Sequence, residues 1–339
     1  MNIREKTEKW EKDNLSPYAT LSCDSKGRNT PEKSCKVRTE FQKDRDKILH
    51  SLSFRLLKHK TQVYLSTTGE DFRTRLTHTQ EVASVARAIA KALSLNQDLV
   101  EAISLGHDLG HTPFGHAGEK SLNELAPFEF KHAEQSVRVV TKIEDNGHGL
   151  NLTREVIEGI EGHTKGEKSL YAVYNANLNG TGRPATLEGE VVQFSDWIAY
   201  INHDVDDAFN MGLIKKDDLP ESTIKYLGHN FQQRVLTMMK SVISSSYGKN
   251  HIHMEEKVMR ATDELRKFLF NNIYKLQEIE VKEDTAYGVI RKLYTYFLKN
   301  YNEVLKEMTF LNEQDIPRGT CDYIAFLTDL KAQEIYNKI

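Results

Sequence analysis

The stretch from Leu105 to Glu119, Leu-Gly-His-Asp-Leu-Gly-His-Thr-Pro-Phe-Gly-His-Ala-Gly-Glu, constrains this chain more than any other. It sets three of the 13 histidines, His107, His111 and His116, beside Asp108 and Glu119 at the end of an apolar helical run. Imidazole nitrogens and carboxylate oxygens are both donors to divalent first-row ions, so this density reads as a metal or phosphate site. A lone His-Asp pair is usually a surface or cap detail; the whole cluster is not. His111 shares a face with His107 only if the helix runs on. Pro113 with Gly110, Gly115 and Gly118 argues instead for a bend that returns His116 and Glu119 over the ion.

Bulk properties exclude more than they assign. The 339 residues allow one large or two modest domains with a proper core. A formal charge of -3 and a pI near 6.5 give no global pull toward nucleic acid or membrane. Cys23, Cys35 and Cys321 stand in no metal-ligand or redox spacing, which suits a reducing cytosol. The start of the chain is polar, and nowhere do about 18 apolar residues run together, so neither a signal peptide nor a span is expected. The expectation is a soluble cytoplasmic protein.

Taken in order, Met1 to Asp13 is a charged start and Leu15 to Val37 an arm broken by Pro17, Gly27 and Pro31. Phe41 to Lys58 reads as helix. Between Lys36 and Arg75 there are 10 Lys or Arg against 5 Asp or Glu, either a solvated face or an anion site. Thr77 to Leu93 is the clearest amphipathic helix, with Thr77 and Gln80 resembling a capping box that puts His78 in the first turn. Asp98 to Leu109 follows after a short link, so the two helices pack antiparallel and bring His78 toward His107 and Asp108.

Further helices are expected over Phe130 to Ile143, with His132, and over Leu152 to Ile160. Thr164 to Glu188 lacks apolar periodicity and reads as a flap over a pocket, with Asn175 to Asn179 as candidate base-reading residues. Leu187 to Phe209 is strongly helical and carries Asp196, Tyr200 and Asp204 at four-residue steps. Acids in so apolar a helix must be paired or bind a cation. Ser222 to Ile243, His253 to Tyr274, Lys282 to Leu305 and Cys321 to Lys338 favour helix. Strand signals are confined to Leu170 to Tyr174 and Ile279 to Val281. No internal repeat, Walker loop or dinucleotide fingerprint occurs. The expected fold is mainly α, a single multi-helix bundle with few or no short strands. Its parts are an arm (1–40), a core (41–215) and a C-terminal helical part packed on that core (216–339).

The chemistry then assembles from three helices. His78, His107, Asp108 and Asp196 supply two nitrogens and two oxygens, a mixed set that leaves positions open on Mn, Mg, Fe, Zn or Co. An open site implies an activated water as nucleophile. Arg75, Lys58, Lys60, His111 and His132 around it match a polyphosphate better than a peptide or a sugar.

These residues carry a resemblance. The spacing of His78, His107-Asp108 and Asp196 is similar to the HD metal-dependent phosphohydrolase superfamily. More narrowly, five runs resemble the bacterial deoxyguanosine triphosphate triphosphohydrolases. They are Phe41 to His50, His59-Lys-Thr-Gln-Val63, Arg73-Thr-Arg-Leu-Thr-His78, His107 to Glu119, and Asp196-Trp-Ile-Ala-Tyr200 to Asp207. Asp322-Tyr-Ile-Ala-Phe-Leu-Thr-Asp329 fits the same group, so the likeness spans nearly the whole chain.

The resemblance implies hydrolysis of dGTP or several dNTPs to deoxynucleoside and intact inorganic triphosphate, by water attack at the α-phosphorus. It maps the metal ligands onto His78, His107, Asp108 and Asp196. The proton for the leaving 5′ oxygen falls to His116, oriented by Glu119. Arg75, His111 and His132 hold phosphate oxygens; Gln62, Tyr200 and Asp204 line the sugar. Arg266 and Tyr274 match a later family motif whose members reach phosphate and sugar.

Long insertions of some members are absent here. The less restricted relatives form symmetric homo-oligomers, tetramers or hexamers, and can take an activating dNTP at an intersubunit site, sought here at Arg28, Arg38 and Arg45. Two rival readings are another HD nucleotide phosphohydrolase and a non-catalytic nucleotide- or single-stranded-DNA-binding protein. Net acidity weighs against the second.

Overall fold

A computed structural model describes residues 1–62, 73–164, 169–179, 183–274 and 277–339, with backbone alone at Leu178, Tyr274 and 277–284. The described residues are mainly helical, with no sheet and only two isolated bridges, Arg28 to Thr153 and Thr61 to Thr74. The α-helices are α1 (Ile3–Asn14), α2 (Glu40–His50), α3 (Leu52–Leu56), α4 (Arg75–Ala92), α5 (Gln97–Gly106), α6 (Gly115–Leu125), α7 (His132–Arg138) and α8 (Arg154–Glu161). They continue as α9 (Leu170–Leu178), α10 (Leu187–Asn210), α11 (Phe231–Ser246), α12 (Glu256–Leu269), α13 (Gln277–Lys299), α14 (Tyr301–Glu307), α15 (Ile316–Phe326) and α16 (Asp329–Lys338).

Both expected strands are helix. The run from Leu170 to Tyr174 opens α9, and Ile279 to Val281 lies within α13. In α9 the Ser169 hydroxyl accepts from Ala172 N at 3.1 Å and Asp263 accepts from Leu170 N at 3.0 Å. Capping therefore overrides the β-leaning composition, and Leu170 and Val173 bury with a helical step of three. The expected flap thus contains a helix, while its residues 165–168 and 180–182 lie outside those described. The expected helix from Phe41 to Lys58 divides at Ser51, whose hydroxyl caps α3 through Phe54 N. The Glu144 carboxylate accepts from Leu52 N and Ser53 N at 3.2 and 2.7 Å, favourable at a helix N-terminus.

The chain divides into two compact units built from discontinuous stretches rather than from consecutive blocks. The first comprises Met1–Arg45, Gln80–Ser104 and Thr153–Leu276. Its long helix α10 starts where Thr186 accepts from Gly189 N, and packs against α8, α11 and α12. Val191, Val192, Phe194, Ile198, Ile201 and Val205 on α10 are fully buried. In the same unit the arm is closed by acids: Arg28, its side chain 3% exposed, binds Asp44 and Glu40, and Asp44 accepts from Thr153 N and Oγ1. Arg45 pairs with Asp98 and Glu101. Arg28 and Arg45 are therefore held by carboxylates, and the local charge excess is partly neutralised within the fold.

The second unit comprises Asp46–Thr79, Leu105–Leu152 and Gln277–Ile339. Here α13 packs against α6, α15 and α16, and α7 continues into a π-helical turn at Val139–Ile143. Asp322 on α15, fully buried, accepts from Gln135 Nε2 and from the Arg138 guanidinium, which fixes α7 from the C-terminal side.

Candidate metal centre and phosphate cluster

His78 enters the site because α4 begins just before it. Thr74 and Thr77 exchange backbone and hydroxyl hydrogen bonds at this end, so the cap is three residues earlier than the Thr77–Gln80 box expected from sequence. His78 keeps its place in the first turn. At the other end α5 stops at Gly106, and His107 to Gly110 form a turn. Gly110 is required there: a Cβ would meet Ser136 N at 2.1 Å and His132 O at 2.6 Å. That closeness lets the Ser136 hydroxyl donate to His107 O at 2.7 Å while accepting from Gly110 N at 2.9 Å. The turn is thereby locked onto α7.

The result is a buried triad. His78 Nε2 and His107 Nε2 lie 3.7 and 3.4 Å from Asp108 Oδ2, and the two imidazoles meet edge-on with centroids 5.4 Å apart. Burial by itself pushes the Asp108 carboxyl up, but His107, Arg75, His111 and His78 outweigh it and hold it well below the usual range. An ionised carboxylate facing two imidazole nitrogens fits a divalent cation, and ligand atoms of all three residues lie within 4.8 Å of one another.

Arg75 contributes differently from the expectation. Its Nη1 donates to Asp108 Oδ2 at 2.9 Å, Nη2 to Gln62 O at 2.9 Å and Nε to Thr61 O at 3.2 Å, so three of its five donors face protein. The Gln62 side-chain oxygen is buried with no partner among the described residues.

A second cluster follows immediately. The backbone turns left-handed at Phe114 (φ 64°) and Gly115 (φ 58°), which ends the approach and starts α6 with His116 and Glu119 on it. The predicted bend is present, and its product is a separate group of His111, His116, Glu119 and His132 with ligand atoms within 4.8 Å of one another. Glu119 accepts from His132 N and Nδ1 at 2.7 and 2.8 Å through one oxygen and faces His116 Nδ1 at 3.2 Å with the other. His111 and His132 stack with centroids 4.1 Å apart. His111 Nε2 stands 3.5 Å from Asp108 Oδ1, linking the clusters.

Their charges differ. Burial raises the Glu119 carboxyl, but His132 and His116 more than reverse that and hold it well below its usual range. Burial lowers His132, and Glu119 overcomes this to raise it. His111 is driven well below its ordinary value by burial, Arg75 and His132. The cluster thus sets a carboxylate shifted toward its ionised form, an imidazole shifted toward protonation and an imidazole shifted toward neutrality in contact.

The positioning role of two groups escaped the sequence reading. Lys60 is buried, and its Nζ donates to His111 O and Ala325 O at 2.6 Å each rather than facing a ligand. Asp329, the first residue of α16, accepts from Phe114 N and Thr61 N at 3.0 Å each. The only sequence signal for Asp329 is that it closes the family-like run from Asp322. Lys58 is exposed.

Asp196, Tyr200, Asp204 and Arg266 belong to the first unit. Asp204 is buried, Asp196 and Tyr200 half-buried on α10. Burial raises the Tyr200 hydroxyl, opposed by Arg266 and reinforced by Asp196, Asp204 and Asp263. Val63 and the side chain of Tyr274 lie outside the described residues.

Helices bearing a His-His-Asp triad with this order define the class: residues 75–201 match the HD domain, and residues 252–338 match the phosphohydrolase-associated domain. Three bacterial relatives, each called deoxyguanosinetriphosphate triphosphohydrolase-like protein, align with almost the whole chain. That of Caldanaerobacter subterraneus subsp. tengcongensis is 48% identical over 99% of this chain and 96% of its own length. Those of Desulfatibacillum aliphaticivorans and Clostridium tetani are 45% and 43% identical over 100% of this chain and 98% and 96% of theirs. The chain belongs to this family of HD-domain phosphohydrolases. Among the described residues no helix is long and apolar enough to cross a membrane.

Proposed function

We propose that the protein hydrolyses deoxynucleoside triphosphates to the deoxynucleoside and inorganic triphosphate. The observation that carries this reading is the adjacency of two unlike clusters. One is a buried His-His-Asp triad with an ionised carboxylate; the other is an imidazole and carboxylate group of mixed charge 3.5 Å away through His111 and Asp108. We assign His78, His107, Asp108 and, from the sequence pattern, Asp196 to a divalent ion. When bound, such an ion polarises a phosphoryl group and acidifies water for attack.

The remaining work falls to this chain's own side chains. Arg75 keeps Asp108 ionised and aimed. His132, which Glu119 shifts toward protonation, and His111 bind oxygens of the triphosphate, compensating charge that builds on them in the transition state. Water adds at the α-phosphorus, releasing its proton to solvent, and the bond to the 5′ oxygen breaks. His116, oriented by Glu119, gives that oxygen its proton and regains one from bulk water. We assign Gln62, Tyr200, Asp204, Arg266 and Tyr274 to the sugar and phosphate side on the family pattern.

The test is a chromatographic product assay with each of the four dNTPs, alone and in pairs, with Mn or Mg present. Deoxynucleoside with tripolyphosphate is the expected pair of products, and turnover confined to mixtures would reveal an activating dNTP. Release of pyrophosphate and a monophosphate, or no turnover in any mixture, overturns the reading.

A further inference from the structure

None of the residues of the two clusters lines a small pocket of about 260 Å³ at the N-terminal end of α11. Arg234, Lys216, His229, Phe209, Phe231 and Asp206 are among the side chains around it. Arg234 is its unusual member. The residue is 1% exposed, and its Nε donates to Asn202 Oδ1 at 2.9 Å. Its Nη1 and Nη2 are buried with no hydrogen-bond partner among the described residues. Even with Asn202 on Nε and the charge of Asp206 acting on it, a buried guanidinium whose Nη1 and Nη2 donate to nothing among the described residues is costly, and buried polar groups left this way ask for an explanation. Asn202 is itself anchored, its Nδ2 donating to Ile198 O at 2.7 Å, so α10 fixes the direction of the fork.

The surroundings select the missing partner. The pocket lies where the 16-residue helix α11 begins, and a helix start attracts anions. The Asn230 side chain satisfies Gln233 N at 2.9 Å and leaves the dipole's positive end in place. Lys216 adds a second cation, and a fork-shaped guanidinium matches phosphate oxygens two at a time. Asp206 is the one carboxylate among the lining residues. It repels a bare anion but accepts from a hydroxyl on the same ligand. The volume is below the usual range for a site enclosing a whole cofactor, so it suits one phosphoryl end.

We propose that this pocket binds the phosphoryl group of a small phosphate ester, with Arg234 taking two of its oxygens, Lys216 adding charge, and Asp206 accepting from a ligand hydroxyl. Calorimetric titration of the full chain in chelator, where turnover is off, tests it separately from the hydrolysis reading. Deoxyguanosine monophosphate and inorganic phosphate are the two probes.

The monophosphate is expected to bind more tightly than inorganic phosphate. Arg234→Met should weaken it roughly 10- to 100-fold, and Lys216→Ala should weaken it by less. His132→Ala, in the other cluster, should leave it in place, and Asp206→Asn should improve inorganic phosphate. Thermal melts check the fold of each variant; if Arg234→Met does not fold, the exposed Lys216 decides. Binding indifferent to both Arg234 and Lys216, loss on His132→Ala alone, or no binding of either probe at millimolar concentration overturns the site. Equal affinity for the two probes overturns the ester.

Discussion

Arg75 Nη1 and Asp108 Oδ2 lie 2.9 Å apart with both side chains buried, so the carboxylate of the candidate metal triad is also the one that carries a guanidinium. His107 first, then Arg75 with His111 and His78, favours the anionic form of Asp108 against burial. Arg75→Met is therefore expected to lower affinity for Mn about 10- to 100-fold, the usual effect of losing an orienting partner. Calorimetry on the metal-free protein measures it, and an unchanged affinity would remove Arg75 from the metal centre.

Glu119 faces two imidazoles and none of the triad's ring nitrogens at hydrogen-bond distance. Glu119→Gln should cut kcat by about 10²- to 10⁴-fold while metal content per chain stays at the wild-type value. Metal analysis alongside steady-state kinetics separates the two; loss of metal together with rate would mean that the clusters act as one centre.

Lys60 gives a pH signature. Burial lowers its ammonium from the usual lysine value of 10.5 to about 7, against attraction to Asp329. The unfolded chain therefore holds the extra proton between about 7 and 10.5, and stability rises with pH across that window by at most ~1.4 kcal/mol per pH unit. Below about 7 both states are protonated and this dependence vanishes. Urea unfolding of wild type and Lys60→Met at pH 6, 7, 8 and 9 should show the wild type gaining relative to the variant only above about 7. Parallel curves would show that Lys60 stays charged in the fold.

Asp329 reaches the site by accepting from Phe114 N, Thr61 N and the Thr61 hydroxyl. Asp329→Ala leaves Phe114 N and Thr61 N without their acceptor, a cost of roughly 1–3 kcal/mol. Since Phe114 sets the start of α6, kcat should fall more than KM changes, and Asp329→Asn should restore part of the rate. A variant with unaltered kcat would reduce Asp329 to an ordinary helix cap.

Gly110 has backbone on every side that a methyl would enter. Gly110→Ala should destabilise by about 3 kcal/mol or more, at or above the upper end of ordinary overpacking, because the neighbouring atoms belong to main chain. Chemical unfolding reads this, and a loss below ~1 kcal/mol would mean that α7 can retreat from the turn.

The helical architecture and the His78, His107, Asp108 triad were legible because both are local signals: a 3.6-residue period, and adjacent donors at helix ends. The bend at Pro113 was legible for the same reason. What the bend builds was only partly so, since the stacking of His132 on His111 depends on the fit of Ser136 against Gly110, a contact between segments 26 residues apart. Leu170 to Tyr174 misled because its composition favours a strand, while Ser169 and Asp263 supply helix caps that composition does not weigh. Lys60 reads in sequence as a cation offered to a polyphosphate. Its burial is decided by Ala325, 265 residues away.

That last separation bears on how the protein is made. His107 to Glu119 leave the ribosome long before the chain reaches Ala325 and Asp329, and domains order themselves as their segments emerge. A nascent chain can hold the whole imidazole sequence and still lack the acceptor for Phe114 N, which arrives 215 residues later. The triad-bearing unit therefore waits for Asp329 to emerge, and an interrupted product that carries every residue of the triad would still lack the helices that complete its unit.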